Sequence, residues 1–136
     1  MYESHEEKER ITAVFSAAFE NIDILCGEIG RMIDATGLSN HLFSLQLVIR
    51  EAVNNAIVHG SGSDPAKTIK VVFHVGENEV SISVQDQGTG FDWRSQREKV
   101  VAPLVTSGRG MELMRTYATE LVFNEKGNQV MLKLVR

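Results

Sequence analysis

The chain has 136 residues, enough for one domain that buries a real core. Hydrophobic residues make up 43% and charged residues 24%, an ordinary globular balance, and a net charge of -4 argues against nucleic-acid binding by bulk electrostatics while leaving room for a local basic patch. A single cysteine, Cys26, excludes a disulfide framework within the chain, no apolar run reaches the length of a membrane span, and Met1 to Arg10 is charged rather than signal-like. These features predict a cytoplasmic protein in which Cys26 is a buried structural thiol.

Residues Arg10 to Ser16 alternate, with Ile11, Ala13 and Phe15 on one side, and predict a first strand. Ile22, Leu25, Cys26, Ile29, Met32 and Ile33 then recur at three- and four-residue spacing, an amphipathic helix that Gly37 stops. Leu38-Ser39-Asn40 offers a cap for a second helix, expected from about Asn40 to Val58 and ended by Gly60.

After the flexible connection Gly60 to Pro65, Thr68 to Val75 places Ile69, Val71, Phe73 and Val75 on one face. Gly76-Glu77-Asn78 turns the chain into Val80 to Asp86, so the two strands form a hairpin. Gln87-Gly88-Thr89-Gly90 is a glycine-rich turn. Phe91 to Ser107 lacks periodicity and is long for a loop inside one domain, the length of a lid or a disordered stretch. Gly108-Arg109-Gly110 opens a third helix with Met111, Leu113, Met114 and Tyr117 as its apolar side, and Leu121 to Asn124 and Gln129 to Val135 close the chain as a hairpin around Glu125-Lys126-Gly127-Asn128. The order predicts a single α+β domain over residues 1–136, a two-layer sandwich in which a mixed, mostly antiparallel sheet of about five strands is covered on one face by three helices.

Three places in this pattern call for chemistry. On the second helix, Leu42, Leu45, Val48, Ile49, Ala52, Val53, Ala56 and Ile57 form the apolar arc; Glu51 points nearly opposite it, and Asn55 follows about 40° round. A solvated side would be polar throughout, yet Leu47 and Val58 flank Glu51. Both sides are therefore covered, one by core and the other by a cleft lined by Glu51 and Asn55. At the end of the hairpin, Asp86 shares the core-facing parity of Val80, Ile82 and Val84, so its carboxylate is buried and needs donors. Backbone amides of the next turn would satisfy it structurally, and a ligand would satisfy it functionally. Thirdly, glycines at a helix start leave N–H groups open to an anion at the positive end of the helix dipole. Taken singly, each is an ordinary feature: a surface glutamate, a satisfied buried polar group, a turn.

Together, in this order and spacing, Glu51 with Asn55, Asp86-Gln87-Gly88-Thr89-Gly90 and Ser107-Gly108-Arg109-Gly110 resemble the boxes of the GHKL ATPase family, and within it the anti-sigma factor serine kinases of bacterial partner-switching systems. The resemblance covers nearly the whole chain. It implies a Bergerat-type ATP-binding fold with ATP and Mg2+ as cofactors. Asn55 is implied as the magnesium ligand and Glu51 as the general base. Asp86 with Gly88 and Gly90 is implied as the adenine site, and Gly108, Arg109 and Gly110 as the phosphate-facing turn behind a lid. His59 belongs to the first box but receives no catalytic role. Arg94, Arg97, Lys99 and Arg109 form a pool of lid cations. One departure is Asn128-Gln129, where such proteins often carry threonine.

The resemblance further implies phosphorylation of a serine or threonine on a small STAS-type anti-sigma-antagonist, sequestration of a sigma factor or analogous client, no direct contact with nucleic acid or membrane, and a homodimer as one arrangement. Magnesium takes only one or two protein oxygens and fills its octahedron with water and phosphate, so a single amide oxygen suffices. Phosphoryl transfer asks a protein mainly for positioning and charge neutralisation. Two other readings stay open at this point: a nucleotide-gated binding module with little or no kinase activity, and a catalytic ATP domain serving a histidine kinase or another ATPase.

Overall fold

The computed structural model describes residues 1–38, 42–88, 120–124 and 128–135. Six strands form one antiparallel sheet in the order β1-β2-β3-β4-β6-β5: β1 Tyr2–Glu7, β2 Arg10–Ser16, β3 Thr68–Val75, β4 Glu79–Asp86, β5 Glu120–Phe123 and β6 Gln129–Val135. Two helices, α1 Glu20–Ala35 and α2 Leu42–Asn55, separate β2 from β3. The fold is the expected α+β sandwich, with corrections. Among the described residues there are six strands rather than about five, and every pairing is antiparallel rather than mixed. The third helix, the lid and part of each turn around Ser39-Asn40 and Glu125-Lys126-Gly127 lie outside the described residues.

The extra strand is β1, and its sequence hides it. Only Tyr2 packs inward, stacked on Phe15 with ring centroids 5.4 Å apart, while Glu3 to Glu7 are exposed. A strand at the sheet edge with one inward side chain shows no alternation. Its turn, Lys8-Glu9, places Glu9 at φ 64° without the glycine or asparagine that would announce a hairpin.

Elsewhere period-two burial decides the register. Ile11, Ala13 and Phe15 of β2 share one face with Ile69, Val71, Phe73 and Val75 of β3, with Val80, Ile82 and Val84 of β4, and with Val130, Leu132 and Leu134 of β6. A slip of one residue would turn any of these rows to water. The inner sides of the helices close over that face through Leu25, Ile29 and Ile33 of α1 and Leu45, Val48, Ile49, Ala52 and Val53 of α2. Full burial of each large side chain contributes about 1.5–3 kcal/mol, which is what offsets the chain entropy here. On the opposite face of the sheet the exposed Met131 and Val122 lie side by side in cross-strand register.

Gly37 stops α1 as the sequence predicts. At φ 78° it lets the Leu38 N–H reach the Ile33 carbonyl at 2.9 Å and its own N–H reach Asp34 at 3.4 Å, a Schellman end whose Leu38 is buried in the core. The second helix ends differently from expectation. Regular α geometry stops at Asn55, and Ala56–Gly60 forms a π-helical turn, closed by the Ser61 N–H on the Ala56 carbonyl at 2.9 Å. One residue more than an α turn is wound there, which carries Gly60 against the end of β4. No helix among the described residues is long and apolar enough to cross a membrane.

Candidate functional site

The site is built where the end of α2 meets the end of β4. From Leu45 to Val58 only Arg50 is exposed, and it reaches across to Asp23 of α1 at 3.0 Å. Leu47, Glu51, Asn54 and Val58 are all half-buried, so the side of α2 away from the core is partly covered, as the mixture of residues there predicts. Glu51 sits in the middle of this side. Burial raises its carboxyl above the usual glutamate range, since removing water disfavours the charged form.

One turn later Asn55 is buried, at 9% exposure, and among the described residues its Oδ1 has no hydrogen-bond partner. An orphaned buried acceptor costs about 1–3 kcal/mol, and native structures rarely keep one without reason. An amide oxygen held in this way is the hard, neutral donor that a magnesium ion accepts, and the last α turn of α2 keeps it one helical turn from Glu51. The donor set therefore fits the ion.

Asp86, the last residue of β4, is 7% exposed on the core-facing side, as its parity requires. Its Oδ1 accepts the Gly88 N–H at 2.7 Å, so the structural partner named among the expectations exists. The main chain of Asp86 is held from the other side by β6. Its N–H donates to the Asn128 carbonyl at 2.9 Å, and the Asn128 Nδ2 donates to the Asp86 carbonyl at 3.4 Å. Asn128 is itself fixed by Asn124, which donates to its Oδ1 at 2.6 Å and accepts its N–H at 3.0 Å. Gln129 turns outward to Ser83 at 3.0 Å. The Asn128-Gln129 pair that departs from the family pattern thus splits in two: Asn128 supports the strand end that carries Asp86, and Gln129 ties the outer face. Asn128 entered the sequence reading only as a departure, because a strand-end amide carries no periodic signal.

Gly60 and Gly88 meet beside the carboxylate. A methyl on Gly60 would overlap the Asp86 carboxylate and lie 2.7 Å from its Oδ1, while one on Gly88 would overlap the Gly60 carbonyl and lie 2.9 Å from that same oxygen. Glycine at both places is a packing requirement, and it lets the backbone come close to the Asp86 carboxylate. Gly60 was predicted only to stop the helix. Ser61, buried at 1% exposure, also has a hydroxyl without a partner, and His59 is exposed. Of the sequence-predicted residues, the structure brings Glu51 and Asn55 onto one helix and Asp86 and Gly88 against its end. Gly90, Gly108, Arg109 and Gly110 lie outside the described residues, as do the lid cations Arg94, Arg97 and Lys99.

A family model described as a histidine kinase-like ATPase domain matches residues 15–134. The chain belongs to the histidine kinase-like ATPase family, of the GHKL type. Among its relatives are proteins named anti-sigma F factor. That of Clostridium perfringens strain SM101 is 33% identical over 68% of this chain and 71% of its own length, and that of Geobacillus stearothermophilus is 29% identical over 70% of each. The one from Clostridium botulinum strain Eklund 17B is 27% identical over 98% of this chain and 95% of its own.

Proposed function

We propose that residues 1–136 act as one ATP-binding domain that phosphorylates a serine or threonine of a small STAS-type antagonist protein and sequesters a sigma factor or a similar client, working in the cytoplasm and able to pair as a homodimer. The observation that carries this reading is the half-buried Glu51 one turn ahead of the buried, unpartnered Asn55 Oδ1, at the helix end that meets Asp86. Membership of an ATPase family and relatives named anti-sigma F factor support it.

In this reading each residue has one task. The Asn55 amide oxygen holds Mg2+, which when bound neutralises charge between the phosphates. Asp86 accepts a hydrogen bond from the adenine amino group, with Gly88 and Gly90 giving the base close access to backbone. Gly108, Arg109 and Gly110 face the phosphates. Glu51 takes the proton of the attacking hydroxyl as that oxygen bonds to the γ-phosphorus and the bond to the β–γ bridging oxygen breaks, so the products are a phosphoserine or phosphothreonine and ADP. A carboxylate whose pKa burial has raised is the stronger base for this step.

The test is transfer of label from γ-labelled ATP. The purified chain, incubated with Mg2+, ATP and the candidate antagonist, is expected to label that antagonist on serine or threonine, and Glu51→Gln is expected to remove the label while ATP binding persists. ATP binding with no label, together with partner capture that survives Glu51→Gln unchanged, would instead establish a nucleotide-gated binding module.

A further inference from the structure

Gly60 lies outside every role assigned above, yet it touches the one carboxylate on which base recognition rests. The contact has three members. The Cα of Gly60 faces the Asp86 carboxylate so closely that a methyl there would coincide with its Cγ and Oδ2. The carbonyl of Gly60 faces the Cα of Gly88 with equal closeness. Gly88 in turn donates its N–H to Asp86 Oδ1 at 2.7 Å. The carboxylate is thus bounded on one side by the π-turn backbone and on the other by its own turn, and it is 7% exposed, so these neighbours set its direction.

The neighbours differ in what can give way. At Gly88 the obstacle is a backbone carbonyl, which moves only with the chain. At Gly60 it is the far end of a side chain, which can swing about its own torsions at the cost of the Gly88 hydrogen bond. A methyl at Gly60 would therefore redirect the Asp86 carboxylate rather than break the sheet. We infer that Gly60 is a positioning residue for base specificity: by lacking a side chain it fixes the direction of the Asp86 carboxylate, and through it the preference for a 6-aminopurine. The inference rests on the proposed adenine contact of Asp86 and adds the element that aims it. The consequence is that α2, which carries Glu51 and Asn55, also sets how the base is read.

The experiment compares ATP with purine-riboside 5′-triphosphate, which lacks the 6-amino group, by calorimetric titration of the full chain with Mg2+. One hydrogen bond from that amino group to a carboxylate is worth about 10- to 100-fold in affinity, so the wild type is expected to prefer ATP by that factor. Gly60→Ala is expected to lose about that factor for ATP while binding of the analogue changes by less than about 3-fold, so that the preference collapses. Equal weakening of both ligands, or an undiminished preference for ATP, overturns the inference, because a merely structural glycine would affect the two alike.

If Gly60→Ala does not fold, Gly60→Ala/Asp86→Ala decides, since the three atoms nearest the added methyl all belong to the Asp86 carboxylate. Recovery of a cooperative melt supports the contact, and failure to recover overturns it. Asp86→Asn and Asp86→Ala run in parallel separate the two layers of reasoning. A wild type without preference, or Asp86 variants that keep it, sinks the adenine role of Asp86 itself. A preference that Asp86 variants lose and Gly60→Ala keeps sinks only the role of Gly60.

Discussion

Replacing Asn55 by leucine should make the nucleotide-free protein more stable and useless for magnesium-dependent binding. The wild-type residue buries an acceptor, Oδ1, with no partner. Leucine has nearly the same shape and no polar atom, so the substitution removes a penalty of about 1–3 kcal/mol, of which about 1–2 should survive imperfect repacking. For a chain of 136 residues, with about 2.1 cal/mol/K of unfolding entropy per residue, each kcal/mol moves the midpoint by about 3–4 °C, so Tm should rise by about 3–8 °C.

Saturating Mg-ATP should then reverse the ranking. At 100 times Kd it stabilises the wild type by about 2.7 kcal/mol, roughly 10 °C by the same conversion, and should leave the variant where it was. Thermal melts of both proteins, with and without Mg-ATP, supply all four numbers, and Asn55→Ala serves as a control for side-chain size. A ligand-free variant that melts at or below the wild type, with the alanine control also destabilised, refutes the orphaned-acceptor reasoning. Equal Mg-ATP shifts in the two proteins refute the metal role.

Further outcomes are expected at Glu51, Gly88 and Asn128. Glu51→Gln should lower phosphoryl transfer by about 10²- to 10⁴-fold, the usual worth of a general base, with ATP affinity retained in calorimetry. In the wild type the rate should climb as pH rises through the raised Glu51 pKa, because the base must be ionised, whereas stability should run the other way. A carboxyl whose folded pKa lies above its unfolded one contributes stability that is complete below the unfolded value and lost as pH rises through the folded value, so the melting temperature of Glu51→Gln relative to wild type should increase across that window and level off above it. Gly88→Ala should cost more than about 3 kcal/mol in denaturant melts, since the methyl meets the Gly60 carbonyl and backbone cannot step aside. Asn128→Ala should cost about 1–2 kcal/mol and weaken ATP binding in proportion to the freedom it gives the main chain of Asp86; unchanged ATP affinity would show that β4 holds its end without help.

What could be foreseen in the chain follows from how each signal is written. Rows such as Ile69, Val71, Phe73 and Val75 encode strand, face and register together, because burial repeats with the pleat. The covered side of α2 was legible from Leu47 and Val58, apolar where a solvated side would be polar, and the depth of Asp86 from parity alone. β1 was hidden because an edge strand with a single inward residue has no period to detect. The π turn was hidden because the apolar spacing up to Ile57 fits an α-helix equally well, and the extra residue is set by contact with β4 rather than by local preference. Asn128 and Gly60 belong to the same class: their importance lies in long-range backbone contacts, which residue type alone does not announce.

The π turn also sets a rule about counting. Deleting one residue between Ala56 and Gly60 would let the helix close as an ordinary α turn and swing everything after it by roughly 100°, carrying Gly60 off the end of β4. The number of residues from Glu51 to Gly60 cannot change without parting the two halves of the site. In this segment, length carries information that composition does not display, and a shift of frame by one displaces every later residue of the site at once.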